Sequence, residues 1–593
     1  MNFNKLSPLL QLALLYERFI SVDAFERITS QNIMAPEWFL IIQYYQDIER
    51  ISQKYFFSYE QINDRFAYIQ INKDLIDSLS DENSIFYIEL PRVMQYIALE
   101  SAPSICAPIS IYTPQGYNVS GEGVIIAIID SGIDYSHLDF RNEDGSTRIL
   151  SIWDQSIEGL PPEGYSNGAY YTQTQINEAL RQVNLEERLS IVPSVDILGH
   201  GTAIAGVAAG NGRGSGGQSR GIAPKSDLVI VKMRSEGTSI ENFRGPTNAD
   251  VMRGISFAIS EARKFGKPLS ILMGVGLNTG SHAGYTNLEI FIDQMSIVWP
   301  CNMTVGTGNE ANKERHTSGR VNEGEIKNIQ VIIGPGQKFY LANFYENFVD
   351  DMSFTIIAPN GEKTDLLQES ITNVAYVFGN TSVLINISSQ PFSGRGQELV
   401  VLLEGYNGED VDVGIWTIQV VGNKIIDGRY YVWDSVQTFT LRGAKFLEPD
   451  PFTTLTIPST SRYITSIGAI NSRTLQILPS SGRGFTVDER VKPDVCTPGL
   501  NVLVPLAGTE AQYTVYSGSS IAGAFMCGAY ALFIEYGLRI KPSNFFYGEP
   551  LKGLILKYAR RPEQFGPYPN QVYGYGILCV SSVLEALQRI YNQ

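Results

Sequence analysis

Four histidines, at positions 137, 200, 282 and 316, are all this 593-residue chain has for moving protons through an imidazole near neutral pH. His200 lies in Gly199-His200-Gly201-Thr202-Ala203, at the head of a small-residue stretch, 203–209, that can pack closely as a helix. Asp130 ends an almost wholly apolar run, 123–129, and Ser520 opens a helical stretch in Gly518-Ser519-Ser520-Ile521-Ala522-Gly523. A serine hydroxyl is a weak nucleophile at neutral pH and needs an adjacent base. A neutral imidazole can take its proton and return it to a leaving amine. A buried carboxylate fixes the imidazole tautomer and stabilises its protonated form. Asp130, His200 and Ser520 therefore suit acyl transfer. A serine at a helix amino terminus also brings backbone N–H groups and the positive end of the helix dipole to a developing oxyanion.

The remaining candidates have plainer readings. His137, in Ser136-His137-Leu138-Asp139, reads as a turn or capping residue. His282 and His316 read as polar packing groups on loops with no third ligand nearby, so neither a metal nor a cofactor is expected. The glycine-rich stretch 210–217 lacks a following Lys-Ser/Thr and reads as a flexible connection, not a phosphate loop. Asn309 follows a glycine as turn residues often do, and gains meaning only beside the other three. Five cysteines (106, 301, 496, 527 and 579) lie far apart with no CxxC pair. That argues against a zinc site and a disulfide framework and suits a reducing compartment.

The elements that must position these residues follow from periodicity. Residues 1–100 mix helix and strand, with strand-like 38–45, 66–71 and 84–90. Residues 101–320 alternate continuous apolar strands (123–129, 228–233, 269–275, 303–305) with helical spacing, as at Val251, Ile255, Ala258, Ile259 and Ala262. Such alternation predicts a parallel sheet covered on both faces, with Asp130 at its carboxyl edge, where α/β sites form. From 321 to about 450 only short β runs follow one another (329–333, 339–344, 353–358, 374–378, 382–387, 398–403, 415–421), punctuated by Gly, Pro and Asn. That pattern predicts an antiparallel sandwich or jelly roll. From 451 to 593 the α/β pattern returns, with a strand at 463–470 and a helix at 520–536. The chain thus reads as one α/β domain interrupted by an all-β module whose two ends lie close together.

Composition narrows the function classes. Lys+Arg 45 against Asp+Glu 61 gives a formal charge of −16, which argues against nucleic acid as a partner. No run of about 18 apolar residues is read, so no membrane span is expected. Near the amino terminus, Gln11 interrupts the apolar stretch, Glu17 and Arg18 close it, and no small-residue cleavage site follows. An amphipathic helix, not a signal peptide, is the reading, with synthesis in the cytoplasm.

The order Asp…His…Ser and its flanking residues resemble the subtilisin-like serine proteases. Ile128-Ile129-Asp130-Ser131-Gly132 resembles that family's aspartate motif, Gly199-His200-Gly201-Thr202 its histidine motif and Gly518-Ser519-Ser520-Ile521-Ala522 its serine motif. Gly306-Thr307-Gly308-Asn309-Glu310 is similar to its oxyanion segment, and Lys492-Pro493-Asp494 to the segment preceding the serine. The resemblance implies a three-layer subtilisin-like core, Asn309 as oxyanion donor, and substrate binding by Gly274, Val275, Gly276, Thr307 and Gly308. Gly274 stands where serine is common, which bears on the specificity of the first pocket. Ser519 stands in place of threonine and Ala524 in place of proline.

A narrower resemblance is to the clostridial Csp germination proteases. It rests on Leu6-Ser7-Pro8-Leu9-Leu10-Gln11, Ser104-Ile105-Cys106-Ala107-Pro108, Gly280-Ser281-His282, and residues 309–316 followed by a β insertion. It implies a propeptide over 1–100, a jelly roll at 321–450 and self-cleavage near 94–101. It further implies incorporation into spores and a protein substrate that is the zymogen of a cortex-lytic enzyme. Two other readings compete: a non-catalytic or propeptide-blocked pseudoprotease acting as a germination sensor or binding protein, and a general intracellular degradative subtilisin.

Overall fold

A computed structural model describes residues 2–96, 117–235, 245–368, 373–388, 396–435 and 444–592. The junction motif 104–108 and the far end of the 94–101 cleavage region lie outside them.

The central sheet has eight strands in the order Val495–Pro498, Thr465–Ile470, Cys301–Gly306, Leu269–Met273, Ile125–Asp130, Asp227–Lys232, Ile149–Asp154 and Ala169–Thr172. All neighbours pair parallel except the last two. Alternation along a strand sends successive side chains to opposite faces, and here both faces are dry. Ile126 and Ile128 pack with the helices His200–Ala209 and Ser519–Ile540. Ile125, Ala127 and Ile129 pack with Asn248–Phe265 and Asn287–Met295 on the other side. That is why the strands read as unbroken apolar runs.

The amino-terminal segment is a four-stranded antiparallel sheet, Ser58–Gln61, Phe66–Asn72, Glu37–Tyr44 and Ile85–Glu89 in spatial order. Its strands again divide by parity: Ile41 and Phe66 face the helices Asn248–Phe265 and Asn287–Met295, whereas Trp38, Leu40 and Ile42 face the segment's own helices. Those helices include Pro8–Leu15 and Val22–Thr29.

The module inserted into the core consists of two packed antiparallel sheets. One runs His316–Arg320, Arg429–Asp434, Phe339–Asn347, Gly396–Gly405, Thr381–Ser388, Asn373–Phe378; the other Asp351–Ile357, Gly414–Lys424, Ile326–Ile333, Lys445–Phe446. The strand His316–Arg320 belongs to this sheet, so the module begins before position 321. Its sequence, His-Thr-Ser-Gly-Arg, carries no apolar alternation, and its pairing with Arg429–Asp434 across the chain is what makes it a strand. Tyr340, Ala342, Val383, Val401 and Leu403 point between the two sheets. Phe339, Leu341, Leu384, Val400 and Leu402 point outward and share a core with the amino-terminal segment. The six-stranded sheet is therefore apolar on both faces, and the segment's helices cover the second.

Ser519–Ile540 is long and apolar enough to cross a membrane, contrary to the expectation that no such stretch exists. Nearly nine-tenths of its apolar window is buried between sheet and helices, which makes it the core helix of the domain.

Candidate active site

Asp130 stands at the carboxyl end of a central strand and is fully buried. Its Oδ1 accepts the Ser131 N–H at 2.7 Å and lies 2.7 Å from His200 Nδ1. His200 is the first residue of its helix, entered through Gly199 at φ +71°. Its Nε2 lies 3.0 Å from Ser520 Oγ. The three side chains predicted from sequence thus form one continuous relay, with carboxylate to Nδ1 and Nε2 to hydroxyl. Close approach demands glycine at one point: a Cβ on Gly201 would lie 2.1 Å from the Gly132 carbonyl oxygen. The aspartate and histidine loops touch there, backbone to backbone.

Ser520 occupies the first turn of Ser519–Ile540, where backbone N–H groups lack intrahelical partners. Asn309 Oδ1 accepts the Ser519 N–H at 3.0 Å, which leaves the amide nitrogen as the donating end of that side chain. Ser519 Oγ accepts the Gly308 N–H at 3.0 Å. The serine that replaces the commoner threonine therefore ties the Asn309 turn to the helix that carries Ser520.

The expected substrate residues separate into three groups. Val275 and Gly276 pair antiparallel with Tyr96 and Gln95, the last described residues of the amino-terminal segment. The Tyr96 ring centroid lies 6.0 Å from that of His200. Gly274 lies directly against the relay. A Cβ built on it would fall 1.8 Å from Asp130 Oδ2 and 2.8 Å from His200 Cε1, so the missing side chain is the space in which the Asp–His pair sits. Thr307 and Gly308 build the turn beneath Asn309: the Thr307 N–H donates to Ile467 O at 3.0 Å, and Gly308 adopts φ +91° against Thr456.

Several groups at the site escaped the sequence reading. Glu310 accepts a hydrogen bond from the Gln95 amide at 3.3 Å, and burial pushes its carboxyl above the usual range. Glu89 accepts from Asn248 at 3.0 Å and from Asn287 at 2.6 Å, so the amino-terminal segment bonds to the first residues of both helices on that face. Glu60 receives Arg253 through two bonds, 2.5 and 2.8 Å, with the guanidinium fully buried beside Trp153 and Tyr68. Asp196 joins the loops that carry Asp130 and His200. These partners lie far apart in sequence, and each alone reads as an ordinary surface charge.

The other three histidines hold structural places. His137 accepts the Asp139 N–H as a cap at 3.2 Å. His282 and His316 both stack on the module's Trp433, with centroids at 4.0 and 4.6 Å, and burial lowers both to about 4. Among the described residues no cluster of three or more His, Cys, Asp or Glu is arranged to hold a metal. Cys301, Cys496, Cys527 and Cys579 are free thiols; burial pushes Cys301 and Cys527 up to about 12. Cys106 lies outside the described residues.

The model of the subtilase family matches residues 121–264 and 421–576, half of the chain, and includes the strand of Asp130, the helix of His200 and the helix of Ser520. The chain belongs to the subtilase family. Residues 4–92 match the Csp protease B prodomain. The structure of the CspB protease of Clostridium perfringens superposes with a TM-score of 0.73 at 30% identity, over 82% of this chain and 96% of that one. More distant curated relatives include the minor extracellular protease Vpr of Bacillus subtilis (strain 168), 20% identical over 79% of this chain and 52% of its own length. The subtilase-type proteinase psp3 of Schizosaccharomyces pombe is 27% identical over 41% of this chain and 44% of its own length. The chain spans about half the length of these curated relatives. The subtilase match leaves out 265–420, so Asn309 and the substrate strand rest on geometry and on the motif likeness.

Proposed function

We propose that this subtilase is a serine endopeptidase that works through Asp130, His200 and Ser520, and cuts its own chain just beyond Tyr96. The observation that carries the proposal is the pairing of Gln95–Tyr96 with Val275–Gly276, which lays the prodomain's end as a peptide strand beside the Asp130–His200–Ser520 relay. His200 Nε2 takes the Ser520 proton as Oγ attacks the scissile carbonyl carbon, and a tetrahedral oxyanion forms. Asn309 and the Ser520 N–H receive that oxyanion. Asp130 Oδ1 accepts a hydrogen bond from the Nδ1–H and stabilises the imidazolium. The proton then passes to the leaving amine, and water repeats the sequence on the acyl-enzyme.

The resemblance to clostridial germination proteases, together with the likeness to the Clostridium perfringens CspB protease, supports a finer reading. The protein substrate is the zymogen of a cortex-lytic enzyme, and the place of action is the spore. A second reading, a subtilase kept latent by its own cut prodomain, is favoured by the buried Glu60–Arg253 pair and by the core shared between prodomain and module.

Intact mass on the purified chain and on Ser520→Ala, after incubation at neutral pH, separates these. Unmodified chain split after residues 96–101, with the variant at full length, supports the protease. A complete chain in both samples overturns it. A split chain that leaves an added peptide uncut supports the latent reading.

A further inference from the structure

The Asp130–His200 hydrogen bond spans two loops that approach each other with no covalent link nearer than 70 residues of chain. One carboxylate, Asp196, holds both, and no step of the relay uses it. It is 3% exposed, and each of its oxygens accepts twice. Oδ1 accepts the Ser131 hydroxyl at 2.7 Å and the Gly199 N–H at 2.9 Å. Oδ2 accepts the Thr202 N–H at 2.8 Å and the Thr202 hydroxyl at 2.6 Å. Both hydroxyls also accept: Ser131 Oγ takes the Gly201 N–H at 2.9 Å, and Thr202 Oγ1 takes the Asp134 N–H at 2.9 Å. Ser131 adjoins Asp130; Gly199 and Gly201 flank His200.

We propose that Asp196 is a positioning residue that fixes the aspartate loop against the histidine loop through Ser131 and Thr202, and so sets the Asp130–His200 hydrogen bond. This rests on the roles given above to Asp130, His200 and Ser520. The chemistry of the four donors requires a carboxylate. An asparagine of the same shape turns an NH2 group toward two donors, so one side of the clamp is lost. A displacement of about 1 Å in a reacting group costs about 10²-fold in rate. Asp130 Oδ1 already accepts from Ser131 N as well as His200, so a shift of residue 131 is transmitted to the relay directly.

The test follows self-cleavage of the full chain in a cell-free pulse-chase between pH 5 and 8. The reaction is intramolecular, so its first-order constant reads chemistry without substrate affinity. Asp196→Asn is expected to slow it about 10²-fold, and to move the acid-side midpoint to lower pH, because a loosened Asp130 holds the His200 proton less well. Ser131→Ala removes the hydroxyl that donates to Asp196 and accepts from Gly201, leaves the bonds of Asp196 to Gly199 and Thr202 in place, and is expected to act in the same sense by a smaller factor; it serves if Asp196→Asn does not fold. Wild-type rate and midpoint in both variants overturn the positioning role alone. Slower cleavage with an unmoved midpoint, together with a lower Tm, assigns Asp196 to folding and overturns it too. A chain with no self-cleavage before any substitution overturns the protease reading and this one together.

Discussion

At the scale of single residues, the site is defined as much by missing atoms as by present ones. Gly274 leaves room for the Asp130 carboxylate where a Cβ would stand 1.8 Å away. Gly274→Ser is therefore expected to lower kcat about 10²-fold while leaving the order of preference among peptide substrates unchanged; a peptide panel measured on both proteins decides. Asn309→Ala removes a donor at the oxyanion position and should cost about 10²–10³ in kcat, the magnitude known for subtilisin, with little change in KM. Of these residues, Asp130, His200 and Ser520 were legible because each sits at a strand end or helix start that periodicity locates. Asp196 was not. Its neighbours Val195 and Ile197 are exposed apolar residues, and the partner that ties it to the aspartate loop, Ser131, lies 65 residues earlier.

At the scale of elements, the prodomain is fastened by buried charge as well as by apolar area. Removing one member of a buried ion pair strands the other and costs about 3–5 kcal/mol. Glu60→Leu should accordingly lower Tm by several degrees by leaving buried Arg253 with Asp250, 3.5 Å away, as its one carboxylate partner among the described residues, beside the Asn167 amide oxygen; calorimetry on the variant checks this. Glu404, on the module's strand Gly396–Gly405, accepts the N–H of Ser21 at 2.6 Å. Burial pushes its carboxyl up to about 7. A raised acid favours its protonated form in the folded state, so its contribution is complete below about pH 4.5 and is lost as pH rises to about 7. Glu404→Gln keeps the acceptor without the charge. Relative to the unmodified chain it should be more stable at pH 8 than at pH 5, by at most about 3 kcal/mol; denaturant unfolding at the two pH values reads the difference.

The elements themselves were only partly written in periodicity. Continuous apolar strands and the return of α/β alternation after 450 gave the core, and the run of short strands gave the module. The hairpin Val502–Pro505 with Tyr513–Tyr516 stayed hidden because its second strand is half-buried and mixed in character. Arg253 was hidden for the opposite reason: a charged residue within an amphipathic helix reads as solvent-facing, yet this one is fully buried against a segment that arrives from elsewhere in the chain.

At the scale of the whole molecule, prodomain, catalytic core and inserted module are joined in a ring of contacts. The prodomain touches the core through Glu60, Glu89 and the strand Gln95–Tyr96, and touches the module through the shared apolar core and through Gln11, whose oxygen accepts from Asn373 and Asn386 at 3.1 and 3.0 Å. A charge placed in the shared core should open the ring at one point. Leu402→Glu is expected to let the cut prodomain separate from the remainder during gel filtration, where the unmodified chain elutes with it bound. Co-elution in both would mean that the core contacts alone retain it.

The distance between His200 and Ser520 along the chain, 320 residues, also sets an order in time. A ribosome adding about 5–20 residues per second completes the prodomain, Asp130 and His200 roughly 16–64 s before it makes Ser520. The whole inserted module emerges in that interval. The apolar outer face of the module can therefore find the prodomain's helices while the sheet still lacks Thr465–Ile470 and Val495–Pro498. Val275–Gly276, with which Gln95–Tyr96 pairs, is complete 244 residues before Ser520, so that pairing has roughly 12–49 s to form before Ser520 exists.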